Sequence, residues 1–82
     1  MLITNVSHMG NDDLFKALSS RSRIKIIKLL ANQEMHLSGI SRQLGISKPV
    51  ISKHIKILEK AGFVKRKIIG NIHLLSTNAE VL

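Results

Sequence analysis

Residues 37–64 contain two consecutive helix patterns separated by a short break, and this arrangement restricts the fold more than any other feature of the chain. The first pattern runs from Ser38 to Leu44, the break is Gly45-Ile46-Ser47, and the second pattern runs from Lys48 to Ala61. Two helices joined by a turn of about three or four residues containing Gly form a helix-turn-helix, whose second helix lies in a DNA major groove. The spacing therefore predicts this motif, with residues 48–61 as the recognition helix.

Apolar residues in this segment recur where the two helices must pack against each other. This predicted seam consists of Ile40, Leu44, Ile46, Ile51, Ile55 and Leu58. Basic and hydroxyl side chains fall outside the seam, so the same pattern predicts both a core and a polar outer face.

The charge balance indicates a polyanionic partner. Thirteen Lys and Arg face five Asp and Glu in 82 residues, which gives a formal net charge of +8. A chain of this length is one small domain, and such a balance is typical of nucleic-acid binders, although a basic surface that serves only solubility is the alternative. Phe15 and Phe63 are its only aromatic residues, which disfavours a single-stranded nucleic-acid binder that stacks bases on aromatic rings.

The chain contains no Cys, which excludes a disulfide scaffold and a thiolate metal site. The N-terminal sequence has no basic and apolar signal-peptide pattern, and no apolar run approaches the roughly 20 residues that span a bilayer. We therefore expect a cytoplasmic protein with no membrane partner and no cofactor.

The domain organisation is predicted from caps and breaks. Residues 1–10 are weakly patterned and form a candidate flexible arm, residues 11–77 form the folded domain, and residues 78–82 form a short tail. Asn11-Asp12-Asp13 favours a helix start, and that helix is expected to run to about Leu18.

A second helix, contacted from two sides, is expected over residues 21–31, with Ser19-Ser20 capping it and Ile24, Ile27 and Leu30 on one face. Ile26 and Leu29 widen that apolar stripe.

The sequence pattern changes from helix-like to strand-like after the recognition helix. Ser47 and Pro49 favour its start, and Ala61-Gly62 its end, with Gly62 left-handed. Residues 63–69 and 72–76 are β-branched and basic and are separated by Gly70-Asn71, which predicts a β-hairpin. With a short strand at 35–37, the order is helix, helix, short strand, helix, helix, hairpin. The predicted fold class is mainly α with a small β-hairpin, a winged helix-turn-helix.

Three blocks with this order and spacing make the chain resemble the ArsR-like family of winged-helix transcriptional regulators. The blocks lie within residues 17–30, 44–54 and 58–64, and the resemblance covers about residues 14–77. It implies a double-stranded DNA-binding regulator, usually a repressor, that binds a pseudo-palindromic operator as a homodimer.

Metal-sensing members of the family carry a Cys-x-Cys pair where this chain has His36 and Ser38, and others use Asp and His on a C-terminal helix. The sequence ends soon after the hairpin, so we expect neither site and no bound metal. We also expect the arm and the first helix, around Leu14, Phe15 and Leu18, to supply the dimer interface.

Candidate DNA-binding residues are polar or basic and lie outside the seam. On the recognition helix and its cap they are Ser47, Lys48, Val50, Ser52, Lys53, His54 and Lys56. Lys48 and Ser52 are suited to base edges and Val50 to a thymine methyl group, whereas Ser47, Lys53 and Lys56 are equally suited to phosphates. A solvated basic face is the alternative interpretation.

The other candidates flank the recognition helix. Ser38 begins the first helix of the motif, where its hydroxyl is suited to bind a phosphate, to cap the helix or to do both, and Arg42 is expected to contact a phosphate. The hairpin contributes Lys65, Arg66, Lys67 and Asn71. Its basic residues either contact the minor groove and flanking phosphates or protect an edge strand from aggregation.

The four His residues lack the spacing of a metal site, and the chain shows no pattern of an enzyme active site. His54 is expected to contact DNA or to pack in the seam. Besides a DNA-binding regulator, a winged-helix module that docks an acidic protein or binds DNA architecturally remains an alternative. A regulator whose DNA affinity falls when an effector binds is a third hypothesis.

Overall fold

The computed structural model describes residues 14–78, which form a helical layer against a small sheet. The helices are α1 (residues 14–18), α2 (Arg21–Asn32), α3 (Leu37–Leu44) and α4 (Lys48–Lys60); the strands are β1 (Met35–His36), β2 (Val64–Ile69) and β3 (Ile72–Thr77). The sheet is antiparallel with order β1-β3-β2. This arrangement confirms the predicted winged helix-turn-helix. The predicted arm and the predicted helix start at residues 11–13 lie outside the described residues.

The predicted seam forms the centre of the core. Ile40, Ile51, Ile55 and Leu58 are fully buried, and Leu44 and Ile46 pack against them. Ala17, Ile26, Leu30, Phe63, Val64 and Leu75 complete the core from α1, α2 and the sheet. Burial of side chains from all four helices, from β2 and β3 and from the loop residue Phe63 fixes the orientation of α4 on the rest of the domain.

The buried face of α2 differs from the predicted one. Its buried residues are Arg23, Ile26 and Leu30, whereas Ile24 is 37% exposed and Ile27 is half-buried. Of the predicted apolar stripe, Ile26 and Leu30 are buried and Ile27 and Leu29 pack against the core, so the prediction fails only at Ile24. The sequence did not predict the burial of Arg23 beside this stripe.

The start of α3 also differs from the predicted one. The helix begins at Leu37 rather than Ser38, and His36 is its N-cap. The Ser38 amide donates to His36 Nδ1 at 3.1 Å, so the imidazole performs the capping that the sequence assigned to the Ser38 hydroxyl.

The turn between α3 and α4 is held by Ser41. Its carbonyl accepts from the amides of Gly45 and Ile46, at 2.9 and 3.2 Å, and its hydroxyl donates to the Ile46 carbonyl. Gly45 adopts a φ of 67°, the left-handed conformation that closes many helix C-termini. These bonds set the angle at which α4 leaves α3.

Replacing Gly45 by alanine is expected to reduce the free energy of unfolding by about 1 kcal/mol, because a Cβ disfavours the left-handed region. A Cβ at this position meets no atom within 4 Å, so the cost is conformational alone.

Urea denaturation measures this change, and Gly39→Ala is the matched control. A Cβ at Gly39 meets Met35 Cε at an ordinary 3.5 Å within a regular helix, so G39A is expected to be neutral or stabilising. Equal destabilisation by both variants would contradict the role given to the Gly45 conformation.

The wing, residues 64–77, follows the predicted hairpin closely. Ile69 pairs with Ile72 across Gly70-Asn71, and Gly70 has a φ of 60°. Gly62 is also left-handed, with a φ of 85°, as predicted for the end of α4. The predicted positions of two N-caps are also confirmed. Ser20 caps α2, where its Oγ accepts from the Arg23 amide at 3.3 Å, and Ser47 is the N-cap residue of α4.

Candidate nucleic-acid interface

The side of α4 that faces away from the core carries lysines. Lys53, Lys56 and Lys60, here called the basic stripe, recur at the spacing of one helix face and are all exposed. Ile51, Ile55 and Leu58 occupy the opposite, buried face. Lys60 was not among the residues predicted from the sequence, although its position four residues after Lys56 was the available signal.

The start of α4 adds further groups beside the basic stripe. Lys48 is exposed, Ser52 is half-buried one turn later, and Val50 is 42% exposed. The Ser47 side chain makes no capping hydrogen bond, so its hydroxyl is not engaged by the helix. These positions are where the motif presents base-reading and phosphate-binding groups, and their use in DNA binding stays a prediction.

On α3, Ser38 and Arg42 lie four residues apart and therefore share a face. Arg42 is exposed and Ser38 is half-buried. The structure thus presents the predicted phosphate-binding pair on one side of the helix that precedes the turn.

The outward face of the wing carries Lys65 and Lys67, both exposed, and the exposed Asn71 lies at the turn. The strand register places Lys65 opposite Ser76 and Lys67 opposite Leu74, so both lysines project to the same side of the hairpin. This side is turned away from Val64 and Leu75, which are buried in the core.

Arg66 belongs to the other face of the wing. Its Nε and Nη2 donate to the two carboxylate oxygens of Glu59, at 3.0 and 2.7 Å, and its Nη1 lies 3.0 Å from His73 Nδ1. A two-point contact between a guanidinium and a carboxylate fixes geometry as well as attracting charge. Arg66 therefore fastens the wing to α4, and Glu59 and His73 are positioning residues that the sequence did not identify.

His54 is half-buried on the flank of α4, where its Nδ1 lies 3.1 Å from Nη1 of Arg23. Burial and, second, the Arg23 guanidinium lower the pKa of His54 below the ordinary value of 6.5. His54 thus packs beside the seam, which agrees with one of its two predicted roles, and its Nδ1 is directed at Arg23.

Stability is expected to fall as the pH is lowered below about 6.5, because the folded state binds a proton at His54 less readily than the unfolded chain. The contribution of this residue is fully present above the unfolded pKa of 6.5 and is lost as the pH falls through the lower, folded value.

Urea denaturation at about pH 7.5 and about pH 5 measures this dependence. His54→Gln is the control, since it retains a hydrogen-bond acceptor but does not titrate, and other ionisable groups contribute equally to both proteins. An identical loss of stability in the two proteins would contradict the effect of His54.

The residues predicted for a dimer interface lie on α1 and differ in exposure. Phe15 is 73% exposed and Leu18 is 45% exposed on α1, whereas Leu14 packs against the core of its own protomer. Association through α1 would bury these two exposed apolar side chains, and their role in a dimer stays a prediction.

A metal site and a membrane-spanning helix are both absent from the described part of the chain. Between residues 14 and 78, no three His, Asp or Glu side chains come together as a metal site. None of the helices over those residues is long and apolar enough to span a membrane.

More than half of the chain matches a known family model. The model for bacterial regulatory proteins of the arsR family matches residues 20–66. That range contains the complete helix-turn-helix and the first residues of the wing.

Two named relatives extend this match. The transcriptional repressor SdpR of Bacillus subtilis (strain 168) is 37% identical over 71 residues, which cover 87% of this chain and 79% of the relative. The uncharacterized HTH-type transcriptional regulator MJ1325 of Methanocaldococcus jannaschii is 43% identical over 59 residues, which cover 71% of this chain and 66% of the relative.

Solved structures agree on the fold. Reduced HlyU from Vibrio cholerae N16961 superposes with a TM-score of 0.78 at 21% identity and covers 99% of this chain and 86% of its own. The homodimeric winged helix-turn-helix DNA-binding domain of Mb0332 from Mycobacterium bovis gives a TM-score of 0.82 at 23% identity, with 88% of this chain and 68% of that chain covered.

Proposed function

The chain belongs to the arsR family of bacterial regulatory proteins and is a DNA-binding transcriptional regulator, and from that premise we propose that it represses transcription as a homodimer on a pseudo-palindromic operator. The observation that carries this proposal is the basic stripe, which lies opposite the buried face of α4. In this arrangement α4 enters the major groove, and its lysines meet the phosphates that border it.

Exposed basic residues on the elements that flank α4 support the same mode of DNA docking. Arg42 on α3 and the lysines of the wing, Lys65 and Lys67, are exposed and available for phosphates or the minor groove. Arg66 is not assigned a DNA contact in this proposal, because its guanidinium is engaged by Glu59 and His73.

A homodimer formed through α1 would bind successive major grooves on one side of the duplex if its two recognition helices lie about 34 Å apart. Two-fold symmetry of the protein then requires two-fold symmetry in the site. SdpR is named a transcriptional repressor, and repression by occupying a promoter is the corresponding proposal for this chain.

Replacing Phe15 by glutamate is expected to convert the dimer into a monomer, because a charge at a desolvated apolar contact is unfavourable in the dimer and harmless on a monomer surface. Phe15 is 73% exposed within one protomer, so the substitution is expected to leave the fold intact.

Light scattering measures the mass and circular dichroism the helix content. Ile69→Glu is the control, since Ile69 is a 53% exposed apolar residue on the wing, far along the chain from α1. A folded F15E dimer of wild-type stability would exclude this surface as the interface.

Selection of randomised duplex DNA by the purified protein tests the proposed function. We expect enrichment of an inverted repeat whose half-sites are about 10 base pairs apart between centres. Uniform, strongly salt-sensitive binding without enrichment would instead indicate an architectural role, and absence of DNA binding would indicate a module that docks an acidic protein.

A further inference from the structure

Arg23 is the only buried charged side chain among residues 14–78, with 8% of its surface exposed. It lies on α2, and its donors reach two other helices. Nε donates to the Ala17 carbonyl at 2.9 Å, and Nη2 donates to the Lys16 carbonyl at 2.6 Å and to Ser19 Oγ at 3.3 Å. On the opposite side, Nη1 meets His54 of α4 at 3.1 Å.

The contacts with α1 explain how this charge is tolerated. The last carbonyls of a helix lack amide partners within the helix and carry its partial negative charge. Arg23 supplies donors to two of these carbonyls, Lys16 and Ala17. Since its hydrogen bonds involve no carboxylate, the guanidinium is balanced by the end of α1 and by the neutral imidazole.

The contact with α4 determines the state of His54. A guanidinium has only donors, so Nδ1 of His54 must accept and its single ring proton resides on Nε2. The imidazole is thereby held in one tautomer and one orientation. Because His54 precedes the buried Ile55 directly and follows Lys53 of the basic stripe, fixing it also fixes the rotation of the middle of α4.

We propose that Arg23 is a positioning residue for DNA recognition, which sets the recognition helix against the end of α1 through the imidazole of His54. The proposal rests on the proposed function, because its readout is discrimination between DNA sequences. Its consequence is that the helix carrying Phe15 and Leu18 is joined through one side chain to the helix that reads DNA, so assembly and recognition share a structural link.

The test compares full-length variants in their affinities for the selected operator and a scrambled duplex at one salt concentration. His54→Leu retains bulk without an acceptor, and Arg23→Met retains length without donors. Each is expected to reduce the ratio of the two affinities about 10-fold, corresponding to the loss of one buried charged hydrogen bond. The double variant is expected to lose no more than either single variant, and His54→Gln to recover most of the preference that His54→Leu loses.

The proposal would be overturned if folded R23M kept the wild-type ratio of operator affinity to scrambled-duplex affinity. It would also be overturned if the losses of the two single variants added in the double variant. Either result would leave Arg23 a purely structural residue. If R23M does not fold, the H54L and H54Q pair decides, since equal ratios in the two would also overturn it. Nitrogen-15 spectra of the wild-type imidazole at about pH 7.5 provide a second criterion: a protonated Nδ1 would contradict the contact itself. Wild-type protein without any operator preference would refute the proposed function, while these spectra would still report on the contact.

Discussion

Replacing Lys53 and Lys56 together by alanine is expected to weaken DNA binding on the order of 10- to 100-fold at about 0.15 M salt, for operator and scrambled duplex alike. Both residues belong to the basic stripe, are exposed, and project away from Ile51, Ile55 and Leu58. Phosphate contacts carry no sequence information, so removing them lowers affinity without changing preference. The salt dependence of the logarithm of affinity is expected to become shallower by about 0.9 for each phosphate that the variant no longer neutralises.

The matched control is Lys25→Ala with Lys28→Ala, which removes the same charge from exposed positions on α2. Fluorescence anisotropy with labelled duplexes over a salt series measures the DNA affinity of the wild type and of the two double variants. Equal weakening by the two double variants would show that net charge, and not the placement of α4, governs binding.

Lys48→Ala, at the first turn of α4, is expected to reduce the preference for the operator as well as the affinity.

Replacing Ile55 by alanine is expected to reduce the free energy of unfolding by about 3 kcal/mol and the melting temperature by roughly 12–24 °C. The side chain is fully buried where α4 meets the rest of the core. Its removal forfeits the burial of three carbons and leaves a cavity that close-packed neighbours fill only partly. For a domain whose total stability is of order 5–15 kcal/mol, this is a large share.

Val50→Ala is the control on the same helix, since Val50 is 42% exposed and its truncation is expected to change stability by no more than about 0.5 kcal/mol. Both variants are compared with the wild type by urea and thermal denaturation at one protein concentration, because the stability of a dimer depends on protein concentration. A decrease below about 1 kcal/mol in I55A would mean that the core can collapse around the missing atoms.

The elements that follow from local periodicity were predictable from the sequence. Both helices of the motif, the break at Gly45, the left-handed Gly62 and the hairpin at Gly70-Asn71 lie within one residue of where their patterns placed them. These features depend on neighbouring residues within one or two turns, and the sequence therefore contains most of the information that specifies them.

The contacts between elements were not predictable in the same way. An arginine beside the apolar stripe of α2 is expected in solvent, and nothing local indicates that Arg23 is buried and reaches α1 and α4. Likewise, the ion pair between Glu59 and Arg66 joins a helix to a strand. Such pairs arise from the packing angle of whole elements, which no short pattern encodes.

The same distinction applies within the candidate interface. Lys48, Lys53 and Lys56 were predicted because the period of α4 separates them from the seam, and the structure leaves them exposed. Arg66 carries the same charge as its neighbours but faces the opposite side of β2. Strand alternation contained that signal, since residues 65 and 67 point one way and residue 66 the other.

The pairing of β1 with β3 closes a loop in the chain. Met35 pairs with Leu75 and His36 with Leu74, so α3, α4 and β2 all lie between two paired strands. A segment tied at both ends has no free terminus from which to fray. The amide hydrogens of α3 and α4 should consequently exchange with solvent as one cooperative unit that includes the two-residue strand β1.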